Sequence, residues 1–354
     1  MDLSKPVDRA FTKALPKVEL HAHLSGSITR ECLHEIWTLK KAKDPGLQIE
    51  NPLVLMPLGK VNYDLQTFFQ VFTKSIYQLC NDLPSLRHAT SSILHNFRDD
   101  GVRYLELRTT PRAVPDLNIS KEQYVTTILD CIDEFRSSQG GKQSDMSVYL
   151  ILSIDRSNSA SEAMEVVDLA VRNRARGVVG VDLCGNPTKG DVSVFREAFA
   201  AAKRHGLKIT LHFAETVYSG SRAELDTLLS YDPDRLGHVI HVPDDVKREI
   251  VRRKLGLELC MSCNVHAKLT NGGFSGHHFG YWMHQVCPLS LSTDDVGFFC
   301  SPVSNEYLLA AEHFHLSRAD VVDLCRRSVD AIFGGDEEKK RLRVLLDRFE
   351  SEMT

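Results

Sequence analysis

The sequence predicts an α/β protein built as a (β/α)8 TIM barrel, and three observations carry that expectation. Short apolar, β-branched runs recur along the 354 residues, segments of helical periodicity separate them, and the runs number eight. They read KVELHAHL, VRYLELRTT, SVYLILSID, VVGVDLCGN, LKITLHFAE, RLGHVIHV, LGLELCMSCN and PLSLSTDD. Near-continuous hydrophobicity within each run suits strands covered on both faces. Eight such parallel strands close naturally into a barrel. The length also admits two medium domains, but no linker or second domain is evident, so one domain over residues 1–354 is expected.

The first run ends in His21 and His23. Residues two apart on a strand share a face, so both imidazoles project together. Alone, the pair reads as solvated or hydrogen-bonded histidines, or as part of a metal site. Residues 27 to about 100 are too many for one crossover helix, and LQTFFQVFTKSIYQL has an amphipathic helical pattern. A helical insertion over the barrel mouth is expected there. The second run ends in Arg108, followed by Thr109, Thr110, Pro111 and Arg112. The third ends in Asp155 and is preceded by an expected exposed loop, SSQGGKQSD, at 137–145. The fourth reaches Gly185. The fifth carries His212 with Glu215 three residues on, the sixth His238, the seventh Asn264, and the eighth Asp294 with Asp295. In a barrel these C-terminal ends meet at one mouth, where active sites of the fold lie. Their register predicts a shared catalytic site.

His21, His23, His212 and Asp294 then form a set of three nitrogen ligands and one carboxylate, which zinc favours. Separately, His212 could be a core histidine and Asp294 a helix N-cap. Four converging termini favour the metal. Bound zinc brings the pKa of its water towards about 7. Strand 4 offers no lysine to bridge a second ion, so one zinc per chain is expected. Asp294 and Asp295 should not readily share a metal, because consecutive strand residues face opposite ways. The cytidine-type pattern H-x-E with P-C-x-x-C is missing, since HFAE has two intervening residues. CMSC at 260–263 reads as buried thiols within strand 7, and GHH at 276–278 as part of a loop packing over strand 8.

Composition narrows the function classes. The net charge is −4, with 42% hydrophobic and 25% charged residues and no basic excess, so no nucleic-acid partner is expected. No apolar run is long enough to span a bilayer. MDLSKPVDRAF lacks the apolar core of a signal peptide. Nine irregularly spaced cysteines argue for reduced thiols, so a cytoplasmic protein, a monomer, is expected.

ELHAHLSGSI, DLCGNP, LHFAE, RLGH and LSTDD occur in one order over residues 16 to about 333. In these motifs the chain resembles the adenosine and AMP deaminase family. That resemblance implies a barrel with one zinc, held by His21, His23, His212 and Asp294, that hydrolytically removes the 6-amino group of a purine. It also implies roles residue by residue. Glu215 matches the acid that protonates purine N1, and His238 the histidine that orients the attacking hydroxide. Asp295 matches the partner of N7, and Gly185 the backbone contact to N3. LPKVELHAHL, ELRTTPR and HHFGYW resemble the short adenosine deaminase-like subgroup, whose members convert N6-methyl-AMP to IMP and methylamine. In the residues, TTPR supplies what phosphate recognition needs, a guanidinium fork with hydroxyl donors. Ser25 and Tyr77 depart from that subgroup, which usually has Asn and His there. Substrate binding is therefore expected at His23, Ser25, Tyr77, Thr109 to Arg112, Asp155, Gly185 and Asp295. A purine nucleotide is the expected small-molecule partner. A plain adenosine deaminase, or an idle relative that binds a nucleoside, stands as the alternative.

Overall fold

Each apolar run holds one strand. The computed structural model describes residues 5–63, 65–141 and 145–352. Among these, β1 (Lys17–His23), β2 (Val102–Thr109), β3 (Ser147–Asp155) and β4 (Val178–Cys184) lie side by side in one sheet. The sheet continues through β5 (Lys208–Phe213), β6 (Arg235–His238), β7 (Gly256–Leu259) and β8 (Leu289–Leu291). Every neighbouring pair is parallel. A parallel bridge between Ala22 and Asp294 brings the two edges together. The result is the (β/α)8 barrel that the alternation predicts.

Helix Ala160–Arg172 shows why the connections are helical. Ser159 and Glu162 form a reciprocal capping box that satisfies its first amides. Ala163, Val166, Val167 and Ala170 then repeat at helical spacing and are buried. That stripe covers strands whose own outward residues are apolar.

The barrel interior is charged as well as apolar. Glu106, Arg108, Asp182, Arg235 and Glu258 are all buried, which is tolerable only if the charges pair. Arg235 reaches Glu258 at 2.6 Å and stacks its guanidinium 3.5 Å above the Phe333 ring. Arg108, expected at the mouth, borders the cavity from inside the barrel, paired with Asp182 (3.3 Å) and Glu258 (2.7 Å). Those two buried carboxylates hold it there.

Between β1 and β2 the chain forms helices Arg30–Lys43, Pro52–Leu55, Leu65–Val71 and Tyr77–Leu79, before the crossover helix Leu83–Asp99. A single π-helical turn, Phe72–Ile76, interrupts the LQTFFQVFTKSIYQL stretch. Phe68 and Phe72 pack on Phe298, which follows β8, with ring centroids 4.8 and 4.9 Å away. This aromatic cluster seats the insertion against the far side of the mouth.

Two expected boundaries move. Residues 137 and 138 belong to helix Lys121–Ser138, so the loop begins later, and its residues 142–144 lie outside the described residues. Strand β7 ends at Leu259, because the Cys260 carbonyl already accepts the Asn264 amide as the first bond of helix Met261–His266. CMSC therefore opens that helix instead of finishing the strand. Both thiols are buried, as expected.

Candidate active site

Two carboxylates inside the barrel orient the histidines above them. Glu258 on β7 accepts from His21 Nδ1 at 2.7 Å, and Asp182 on β4 from His212 Nδ1 at 3.1 Å. Burial alone would raise both acids, but Arg108 with Arg235 holds Glu258 well below its usual range. His212 and Arg108 do the same for Asp182. An ionised carboxylate only accepts hydrogen bonds, so each ring donates from Nδ1 and, once a cation takes the place of the Nε2 proton, offers it a lone pair there.

Those lone pairs converge. His23 Nε2 lies 3.0 Å from His212 Nε2, and both His21 and His23 reach Asp294 Oδ1 at 3.3 Å. His21 Nε2 is buried with no hydrogen-bond partner. The four ligand atoms fall within 4.8 Å of one another. Facing acceptors beside an orphaned buried nitrogen are unfavourable alone and well suited to a divalent cation. The residues present fit a metal.

Backbone geometry explains why two adjacent aspartates share this site. Asp294 has φ +61°, a left-handed conformation uncommon outside glycine. Its amide reaches the His21 carbonyl at 2.7 Å, and its carbonyl accepts from the His23 amide at 3.0 Å. The turn breaks strand alternation, so Asp294 and Asp295 both line the cavity. Gly26 permits the approach, since a Cβ there would sit 1.4 Å from Asp295 Oδ1. Burial would raise Asp294, but His21 holds it well below the carboxylate range. Burial, with the Asp294 charge, pushes Asp295 well above it. Burial likewise carries Glu215 up to about 7, against the pull of His212. Neither Asp294 nor Glu215 caps a helix. The N-cap after β8 is Asp295, and the helix after β5 is capped by Ser221.

A cavity of about 320 Å³ opens above this floor. Ser25, Tyr77, Thr109, Thr110, Arg112 and Asp155 line it, together with Gly185, Glu215 and His238. His23, His212, Asp294 and Asp295 form its base, while His21 lies wholly buried beneath. On either side of Pro111, Thr110 and Arg112 take cavity-facing positions. Thr109 is bonded to the Tyr124 hydroxyl at 2.8 Å, and the Arg112 guanidinium stacks 3.9 Å from the Tyr77 ring centroid. Gly185 has φ +100°, and a Cβ there would meet the Asp155 carboxylate at 2.7 Å, so glycine keeps this backbone open.

Sequence reasoning missed Asp182, Glu258 and the aromatic wall of Phe68 and Phe72. A single acid inside an otherwise apolar run, as in VVGVDLC and LGLEL, is the signal that could have found the first two. In GHH, His278 Nε2 donates to the His238 carbonyl at 2.6 Å, and His277 Nε2 meets Asn264 Oδ1 at 3.2 Å. Asn264, placed at a strand end by the sequence, stands on the helix after β7.

The family model for adenosine deaminase matches residues 16–349. The chain belongs to the adenosine deaminase family. A Bos taurus relative described as N6-methyl-AMP deaminase is 35% identical over 348 residues, covering 96% of this chain and 95% of its own. A Homo sapiens relative of the same description is 35% identical over 350 residues, covering 96% and 94%. Among solved structures, Arabidopsis ADAL complexed with IMP superposes with a TM-score of 0.89 at 32% identity, covering 97% of this chain and 99% of that one. Membership brings the adenosine deaminase family's metal dependence to the His–Asp cluster. No helix among the described residues is long and apolar enough to cross a membrane.

Proposed function

We propose that this chain is a zinc-dependent hydrolytic deaminase of 6-aminopurine nucleotides, converting N6-methyl-AMP and water to IMP and methylamine. The observation that carries the reading is the meeting of the His21, His23, His212 and Asp294 cluster with Glu215 and Asp295 at one cavity floor. Zinc, one per chain, would be held by those four residues, and when bound it supplies a hydroxide near neutral pH by acidifying a water. Addition of the oxygen at C6 turns the C6–N1 double bond into a single bond, so N1 must take a proton. The C6–N6 bond then breaks, and the departing methylamine carries off the hydrogen left on the incoming oxygen. Glu215 supplies the N1 proton, because burial keeps its carboxyl protonated towards neutrality. His238 orients the incoming oxygen, Asp295 bonds N7, and the Gly185 backbone meets N3. Each of these groups lies on the cavity wall.

Arg112, with Thr110 beside it, faces the cavity and suits a 5′-phosphate. The relatives named N6-methyl-AMP deaminase and the ADAL structure with IMP support the nucleotide and the methylated amine. Tyr77 buttresses Arg112 from the insertion, and Ser25 stands where the subgroup has Asn, so the phosphate contacts differ from the subgroup pattern. We read the protein as a single monomeric domain. All nine cysteines are free and eight are buried, which supports a reducing compartment such as the cytoplasm. The test is kcat/KM of the zinc-loaded protein on N6-methyl-AMP, AMP and adenosine, followed by ultraviolet absorbance. Preference for the methylated monophosphate supports the reading. Equal values for adenosine and the monophosphates remove the phosphate from it, and inactivity on all three removes the deaminase.

A further inference from the structure

The GHH motif at 276–278 has no place in the chemistry above, yet His278 bonds His238 directly and His277 reaches it through Asn264. His238 itself is held unusually. Its backbone has φ +65°, its ring is buried, and its Nε2 lies 3.8 Å from Asp294 Oδ2 with no hydrogen-bond partner. His278 Nε2 donates to its carbonyl at 2.6 Å, holding the left-handed backbone from behind. What sets the ring is a longer chain of contacts.

That chain starts at a donor of fixed identity. The Phe279 backbone amide donates to His277 Nδ1 at 3.1 Å, so Nδ1 carries no proton and the ring is neutral. Burial, which drives His277 well below the usual histidine range, agrees. The single ring proton is then on Nε2, which lies 3.2 Å from Asn264 Oδ1 and donates to it. Reversing the Asn264 amide would set its NH2 against that N–H, so the orientation is fixed. Asn264 Nδ2 therefore donates to His238 Nδ1 at 3.1 Å. His238 accepts at Nδ1 and must carry its own proton on Nε2, the nitrogen that faces the metal cluster.

We propose that His277 is a positioning residue that acts through Asn264 to hold His238 as the Nε2–H tautomer, a hydrogen-bond donor to the incoming oxygen. The proposal rests on the deaminase reading for its catalytic consequence and on the hydrogen-bond chain alone for the tautomer. Neutral His238 in this state cannot take a proton from water at Nε2. It orients the oxygen instead. The backbone amide of one loop thus selects, two side chains away, which nitrogen faces the reaction.

The test separates these parts. In the zinc-loaded protein labelled with 15N-histidine, with the His238 signals identified by their loss in His238→Ala, the proton should reside on Nε2. A proton on Nδ1 would overturn the proposal without any variant of the relay. His277→Phe keeps a ring of similar size and removes the donor. It should lower kcat about ten- to a hundredfold at nearly constant KM and bring the Nδ1–H form of His238 into view. His277→Gln restores a donor near the Nε2 position and should recover most of both signals. Unchanged kcat and tautomer in His277→Phe would contradict the relay, as would equal loss in the Phe and Gln variants. Should the Phe variant not fold, the unsubstituted protein decides alone. Inactivity of the unsubstituted enzyme on every purine would defeat the functional reading and leave the tautomer result standing.

Discussion

Glu215 and Arg112 show how far single residues could be read. Both were visible because they stand at strand ends, where a barrel gathers side chains whatever their distance in sequence. Glu215 has the burial a proton donor needs, and nothing at the sequence level could measure that burial. Glu215→Gln should keep its metal and fold while kcat drops by about 10²–10⁴-fold; turnover close to that of the unsubstituted enzyme would remove the acid role. The sequence places Arg112 as an expected phosphate ligand, and the structure adds its stacking on Tyr77. A charge-assisted bond is worth about 1.5–3 kcal/mol. Arg112→Ala should therefore cost roughly ten- to a hundredfold in kcat/KM on monophosphates and little on adenosine. Equal losses on both substrates would assign the residue to structure. Asp182 and Glu258 escaped the sequence reading, because an acid in mid-strand points inward or outward according to a register that only pairing fixes.

At the scale of elements, the strands were legible and their ends less so. Continuous apolar runs have few alternatives to buried parallel strands, but β7 stops at Leu259 because helical hydrogen bonding begins at Cys260. The helical insertion was legible from its length and amphipathic pattern. Its seat was not, since Phe298 lies more than two hundred residues away in sequence. Phe298 is 1% exposed and touches Phe68, Phe72 and Tyr63. Phe298→Ala should lower stability by about 3–5 kcal/mol. Amide exchange should accelerate across residues 65–79 more than across helix Leu83–Asp99, which packs on the barrel independently. Uniform acceleration over both would show that the insertion is not seated by this cluster.

Over the whole molecule, the alternation of runs predicted closure, whereas the charged interior came only with the structure. Glu306 illustrates a consequence for stability. It is wholly buried, accepts from the Ser262 amide at 3.1 Å, and is pushed up to about 7 by burial. Below about pH 4.5 it is protonated in both folded and unfolded chains. Between about 4.5 and 7 the unfolded chain releases the proton while the folded one keeps it, so stability falls as pH rises, by up to about 3 kcal/mol, and levels off above. Glu306→Gln should lack this component. Denaturant midpoints of the two zinc-saturated proteins should diverge from pH 4.5 to 7, and parallel curves would contradict the assignment.

The central claim joins one metal cluster to one nucleotide reaction, and a single measurement addresses both halves. N6-methyl-AMP is incubated with the protein stripped of metal and with the same protein after one equivalent of zinc is restored, and IMP and methylamine are quantified together. The account predicts equimolar IMP and methylamine from the zinc-loaded protein and neither product above background from the stripped one. Full turnover without metal, or no IMP with it, would contradict it.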